Sequence, residues 1–202
     1  MSVTATSLRL VAHAHTAALR RAVFGGGAEP LDEGGSRAAS ALAPTGPDGR
    51  GPLGRIDVCL STPAAAGLQT AYALGLRPTP EPALADCDYG RWTGRSLEEV
   101  ADWEPDAVRS WLTEPDAAPH GGESIGALLR RVGGWLDGQA DRGGRIGVVT
   151  HPVVIRAVLV RALGLPPPVF WQLDVAPLAV VRLTGRGSRW QLQLTAPAAA
   201  TD

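Results

Sequence analysis

Two of the four histidines, His13 and His15, stand one residue apart in LRLVAHAHTA, just where an apolar run ends, and His151 closes a second apolar run, IGVVTH. Asp86 lies in the polar stretch LADCDYG, and Glu123 follows a glycine pair in HGGES. A neutral imidazole is nucleophilic near neutral pH, and a carboxylic acid within reach can protonate a departing oxygen. Imidazoles and carboxyls in this arrangement fit group transfer or acid–base chemistry. His13-x-His15 with His151 and Asp86 would also supply nitrogen and oxygen ligands for zinc. A metal site and a non-catalytic binding module therefore stand as alternatives.

The elements that must position these groups are legible in the hydrophobic pattern. LRLVA (8–12), IDVCL (56–60), IGVVT (146–150) and LAVVRL (178–183) read as strands, and WQLQLT (190–195), after the turn signal TGRGS, reads as a hairpin partner at a sheet edge. EGGSRAASALA, PAAAGLQTAYALG, ESIGALLRRVGGWLDGQA and PVVIRAVLVRALG carry apolar residues at helical spacing, the second and fourth closing on a glycine. Nearly continuous apolar strands alternating with helices predict a three-layer α/β/α arrangement around a mostly parallel sheet. Ligands of such sheets sit beyond the carboxyl ends of the strands, so His13 and His151 are expected on one rim. The helix starts there offer unpaired N–H groups, which favours an anionic substrate.

With 202 residues, 45% hydrophobic and 19% charged, the chain can bury a sizeable core and reads as one domain over 1–202, with a frayed tail at 196–202. A net charge of -1 without a basic block argues against nucleic acid, and no apolar run is long enough for a membrane span. The pattern is that of a cytoplasmic protein, monomer or homodimer. Cys59 and Cys87 lack metal-type spacing and read as free, partly buried thiols. The Gly/Pro-dense segment 44–54 reads as an exposed connection. Trp92, Trp103, Trp111 and Trp171 fit core packing better than a substrate wall.

Five ordered segments resemble the motifs of the histidine phosphatase superfamily, the phosphoglycerate mutase-like fold. LRLVAHAHT is similar to LxLVRHGxT, PLDEGGSRAASAL to the family's next helix, and LSTPAAAGLQTA to SSPxxRAxQTA. LADCDYGRWTGRS with HGGES, and VVTHPVVIRAVL, match the later motifs; the likeness is clearest over 8–162. It implies that His13 attacks phosphorus and becomes phosphohistidine, that Asp86 protonates the leaving group, and that His151 helps hold the phosphoryl group. Neither a cofactor nor a metal is implied.

The departures from the family pattern carry information of their own. Ala12 and Ala66 stand where the family has its two phosphate-clamping arginines, a role alanine cannot imitate. Losing one such donor typically costs ~10²–10³ in rate, and two together roughly 10⁴–10⁶, without strict additivity. Ala14, Thr93 and Pro152 replace a glycine, a glutamate and a second glycine. The resemblance places the candidate substrate contacts at His15, Thr16, Ala12, Ala66, Glu123, Arg20 and Arg91, with Arg21 and Arg156 as further cations able to replace the clamps. His120 reads as a loop residue. The expectation is an enzyme that keeps His13, Asp86 and His151 but is repurposed for non-phosphatase acid–base chemistry on a small molecule. Hydrolysis of a phosphomonoester through phospho-His13 is the alternative. With the clamping cations gone, His13 and His151 are expected to protonate more readily.

Overall fold

The computed structural model describes residues 5–44, 51–187 and 189–194. Six strands form one sheet in the order β3-β2-β4-β1-β5-β6. They are β1 (Thr6–Ala12), β2 (Val58–Ser61), β3 (Thr79–Pro80), β4 (Gly144–Thr150), β5 (Val180–Arg186) and β6 (Arg189–Leu192). The first four are mutually parallel, β5 runs antiparallel to β1, and β6 closes the edge as the hairpin partner of β5. The mostly parallel three-layer arrangement expected from the sequence is the one found. β1 and β4 are central, with both faces buried, which is why they read as unbroken apolar runs.

Side-chain alternation divides the core between the two faces. Leu8, Leu10, Ala12, Ile146 and Val148 join the larger apolar cluster, which includes α6 (Ile125–Asp137) and α7 (Pro152–Leu163). Val11 and Val149 point the other way, onto Ala71 and Leu74 at the end of α3 (Ala65–Ala73). α2 (Glu33–Ala41) packs on α3 and starts at Asp32, whose carboxylate accepts from Gly35 N at 2.6 Å. α6 is capped by Ser124, and α7 begins with Pro152 at its first turn and ends at Gly164 in the left-handed conformation. α7 is a core helix, buried from Val153 to Ile155 and from Ala157 to Val160.

Other elements differ from expectation. LAVVRL starts two residues late, because Leu178 turns at φ +64 and donates to Ala12 O before the strand begins. Three short helices were not read: α1 (Ala17–Arg20), α4 (Leu97–Trp103) and α5 (Pro105–Thr113). The last two carried readable signals, a Ser96/Glu99 capping box and Pro105 at a first turn. Residues 45–50 of the Gly/Pro-rich connection, Thr195 of the last expected strand and the 196–202 tail lie outside the described residues. Cys59 and Cys87 are free thiols. Among the described residues no helix is long and apolar enough to cross a membrane.

One buried hydroxyl ties the layer of α3 to the exit of β1. Thr70 Oγ1 accepts from Ala14 N at 3.0 Å and donates to Ala66 O at 2.7 Å. Thr70→Val keeps the shape but orphans a buried N–H, so it is expected to lower stability by about 1–3 kcal/mol in urea denaturation. A change near zero would mean that Ala14 N finds another acceptor.

Candidate active site

β1 and β4 are paired in parallel with Ala12 opposite Thr150, so the next residue of each strand, His13 and His151, emerges on the same rim. His13 N still donates to Thr150 O at 2.8 Å. The two imidazoles pack edge to face with centroids 5.0 Å apart. His13 Nδ1 lies 2.8 Å from Ala14 O, which calls for a proton on Nδ1 and leaves the lone pair on Nε2. Both rings line a cavity of about 400 Å³, together with His15, Asp86 and the backbone of Gly25–Gly27.

The glycine loop closes tightly on the imidazoles. A Cβ on Gly27 would lie 2.2 Å from His151 Cε1, 2.4 Å from its Nδ1 and 3.2 Å from His13 Nε2. Thr16 caps α1 and its hydroxyl donates to Gly26 O at 3.0 Å, so this residue holds the loop from behind and does not line the cavity. Sequence reasoning passed over FGGG, although a glycine run after an apolar residue signals close backbone approach. It also passed over Thr62, whose hydroxyl is 2.9 Å from His151 Nε2. Thr62 Oγ1 already accepts from Ala64 N, so its own hydrogen is free to donate to Nε2. The His151 proton then sits on Nδ1, 3.5 Å from Asp86 Oδ2.

Asp86 is held by a strap from α6. The Arg131 guanidinium donates to the carbonyls of Ala83, Ala85 and Asp86 and forms a two-pronged pair with Glu123, at 2.9 and 2.7 Å. Glu123 is therefore the counter-ion of the strap and not a wall of the cavity, which corrects its reading as a substrate contact. The physical reason is that a half-buried guanidinium needs a partner more than the solvated rim does.

The electrostatics follow mainly from loss of water. Burial, reinforced by His151, lowers the pKa of His13 to about 4, although its bond to Ala14 O and nearby Asp86 oppose this. Burial and then Arg131 lower that of His151 to about 3. The expectation of readily protonated histidines is thus corrected: removing two cations does not offset desolvation of the imidazolium. Burial raises Asp86 to about 6, against opposing effects from Cys87 N, which donates to its Oδ1 at 2.9 Å, and from His13 and Arg131. The carboxyl still has 23% of its side-chain surface exposed.

The remaining sequence candidates lie elsewhere. Ala12 is fully buried in the core and Ala66 fully buried in α3, and neither lines the cavity. Arg20 pairs with Asp32 at 2.5 Å, and Arg91 pairs with Glu104 and donates to Pro119 O. Both are satisfied by structural partners, which corrects their reading as substrate contacts. Among the described residues Arg156, one helical turn beyond Pro152, is the only arginine on the cavity wall, and its Nε is buried with no partner. His120 is buried against Trp92, with centroids 4.9 Å apart. Trp111 and Trp171 reach the cavity wall, whereas Trp92 is core and Trp103 is 62% exposed beneath Arg95. Among the described residues no group of three or more His, Cys, Asp or Glu is placed to hold a metal ion.

The model of the histidine phosphatase superfamily (branch 1) matches residues 8–196. A phosphoserine phosphatase 1 of Hydrogenobacter thermophilus is 31% identical over 140 residues, 65% of this chain and 66% of that protein. The bifunctional protein Rv2228c of Mycobacterium tuberculosis is 30% identical over 197 residues, 92% of this chain and 52% of that protein. The chain thus spans about half to two thirds of the length of these curated relatives. Among solved structures, a mycobacterial glucosyl-3-phosphoglycerate phosphatase complexed with VO3 superposes with a TM-score of 0.77 at 24% identity, covering 93% of this chain and 97% of that one. At that identity the likeness is one of fold.

Two outcomes follow from this geometry. Between the ordinary histidine pKa near 6.5 and the folded value of about 4, the unfolded chain binds a proton at His13 that the folded chain does not. Stability from this residue is complete above that window and declines as pH falls through it, by up to about 1.4 kcal/mol per pH unit. Urea melts at stepped pH should show a shallower decline for His13→Asn than for wild type; equal slopes would mean that the imidazole titrates normally in the fold. Gly27→Ala should displace His151 from Thr62 and weaken orthovanadate binding, read by tryptophan fluorescence. Unchanged binding would show that the loop yields to the added methyl.

Proposed function

The chain belongs to the histidine phosphatase superfamily, and on that premise we propose that it hydrolyses a small phosphomonoester through a phosphohistidine at His13. The observation that carries this reading is the pairing of a neutral His13, whose Nδ1 is committed to Ala14 O, with Asp86, whose pKa is pushed up to about 6, on one cavity. Between the His13 value of about 4 and the Asp86 value of about 6, an unprotonated nucleophile stands beside a carboxyl that still holds its proton, the division of labour that phosphoryl transfer requires.

In the first step the Nε2 lone pair forms a bond to phosphorus, the ester P–O bond breaks, and the departing oxygen takes the Asp86 proton. In the second step water attacks the phosphohistidine, Asp86 accepts its proton, the N–P bond breaks and phosphate leaves with His13 restored. His151, neutral and held by Thr62, presents Nδ1–H to charge developing on the phosphoryl oxygens. Backbone of the Gly25–Gly27 loop closes the opposite side, and Arg156 supplies the one guanidinium on the wall. A single arginine in place of two clamps predicts slow turnover by the measure of the lost donors.

A second reading keeps a specific observation in its favour. Ala12 and Ala66 are fully buried and off the cavity wall, and neither Arg20 nor Arg91 moves in to replace the arginines the family has there. The same His13, Asp86 and His151 would then serve acid–base chemistry on a small molecule without a phosphoryl group.

Incubation with 4-nitrophenyl phosphate and quenching in base decides between them. Base-stable, acid-labile phosphate on His13, with turnover lost in His13→Ala, supports hydrolysis. Turnover that survives His13→Ala, or none at all, overturns it in favour of the second reading. The kcat/KM profile should rise through about 4, as His13 loses its proton, and fall through about 6, as Asp86 loses its own. Asp86→Asn should slow esters of unactivated alcohols by roughly 10²–10⁴ and the 4-nitrophenyl ester much less, because that leaving group needs no proton.

A further inference from the structure

The cavity is larger than a phosphoryl group requires, and its chemistry is one-sided. Away from the imidazoles its wall is built by Phe24, Tyr89, Trp111, Trp171 and Val175. The rings pack against one another at an angle: Trp111 and Trp171 have centroids 4.6 Å apart at 68° and Phe24 and Trp111 lie 5.6 Å apart at 79°, both edge-on, while Phe24 and Tyr89 lie 5.1 Å apart, tilted at 47°. Rings locked in this way form a preformed surface that loses little entropy when a ligand is laid on it. The polar side-chain atoms on this part of the wall are the Tyr89 hydroxyl and the indole N–H groups of Trp111 and Trp171, of which the Trp111 N–H is buried without a partner among the described residues. Among the described residues Asp86 is the only carboxylate on the wall, and the mechanism uses it, which leaves no anion there for the ammonium of an amino-acid substrate.

Resting on the hydrolytic reading above, we propose that the substrate is a phosphomonoester whose alcohol carries a flat apolar or aromatic group, seated against Trp171 and Trp111 while the phosphoryl group faces His13. Amino-acid phosphates are disfavoured by the same wall. Trp171 and Trp111 come from segments far apart in the chain, the 3₁₀ turn Pro167–Gln172 and α5, so the specificity surface exists only when both dock.

The test separates binding from turnover by using the His13→Asn protein with esters of matched, unactivated alcohols. Calorimetry with 2-phenylethyl phosphate, ethyl phosphate, phosphoserine and inorganic phosphate should give about tenfold or tighter binding of the phenylethyl ester over ethyl phosphate, equivalent to about 1.4 kcal/mol. Trp171→Ala in the same background should abolish that difference while leaving inorganic phosphate affinity unchanged, and Trp171→Phe should restore most of it. Equal affinity for the two alkyl esters, tighter binding of phosphoserine, or a preference indifferent to Trp171 would overturn the proposal. In wild type, an apolar preference in binding with no ester turned over would refute hydrolysis while upholding the ligand class. Turnover without the preference would do the reverse.

Discussion

The parallel pairing of β1 with β4 is the constraint from which the site descends. Because Ala12 lies opposite Thr150, the chain leaves the sheet at His13 and His151 side by side, and the His13 N to Thr150 O bond carries the ladder one residue past the strand. A one-residue slip in this register would turn the apolar alternation of both strands inside out. The placement of the two imidazoles is thus protected by the free energy of the core: Val11 and Val149 bury on one face, Leu10 and Val148 on the other.

Around this pair the structure removes water and then restrains what remains. Desolvation lowers the pKa of both imidazoles and raises that of Asp86, so that in the interval between about 4 and about 6 His13 is neutral while Asp86 still holds its proton. Each group is held by a partner behind it: Ala14 O for His13, Thr62 for His151, and the Arg131–Glu123 strap for the segment that carries Asp86. The buried alanines at 12 and 66 are part of the same economy of space. Where the family's motifs carry long cationic side chains, this chain packs methyl groups into the sheet and α3. The donors left on the cavity wall there include loop backbone, His151 and Arg156.

Strands β1, β2 and β4 and helices α2, α3, α6 and α7 were legible because burial imposes a period on the sequence, and the rim position of His13 and His151 followed from those elements alone. The motifs of the resemblance also singled out Asp86, which no periodicity marks and which lines the same cavity. Thr16, Arg20, Arg91 and Glu123 were misplaced for one common reason. A polar side chain in a loop has several partners within reach, and the choice among Gly26 O, Asp32, Glu104 or Arg131 depends on neighbours distant in sequence. The aromatic wall was weighed and set aside for core packing for a related reason: α5 was unread, and Trp111 meets Trp171 across sixty positions of chain.

The amino-acid sequence by itself determined the layered sheet, the rim and the two imidazoles on it, since hydrophobic alternation and strand ends are local properties that a fold must respect. Only the tertiary structure decided the protonation of those imidazoles, the partners of Arg20, Arg91 and Arg131 and the composition of the cavity wall. Those depend on dielectric environment and on contacts between distant segments, and neither is encoded at any single position.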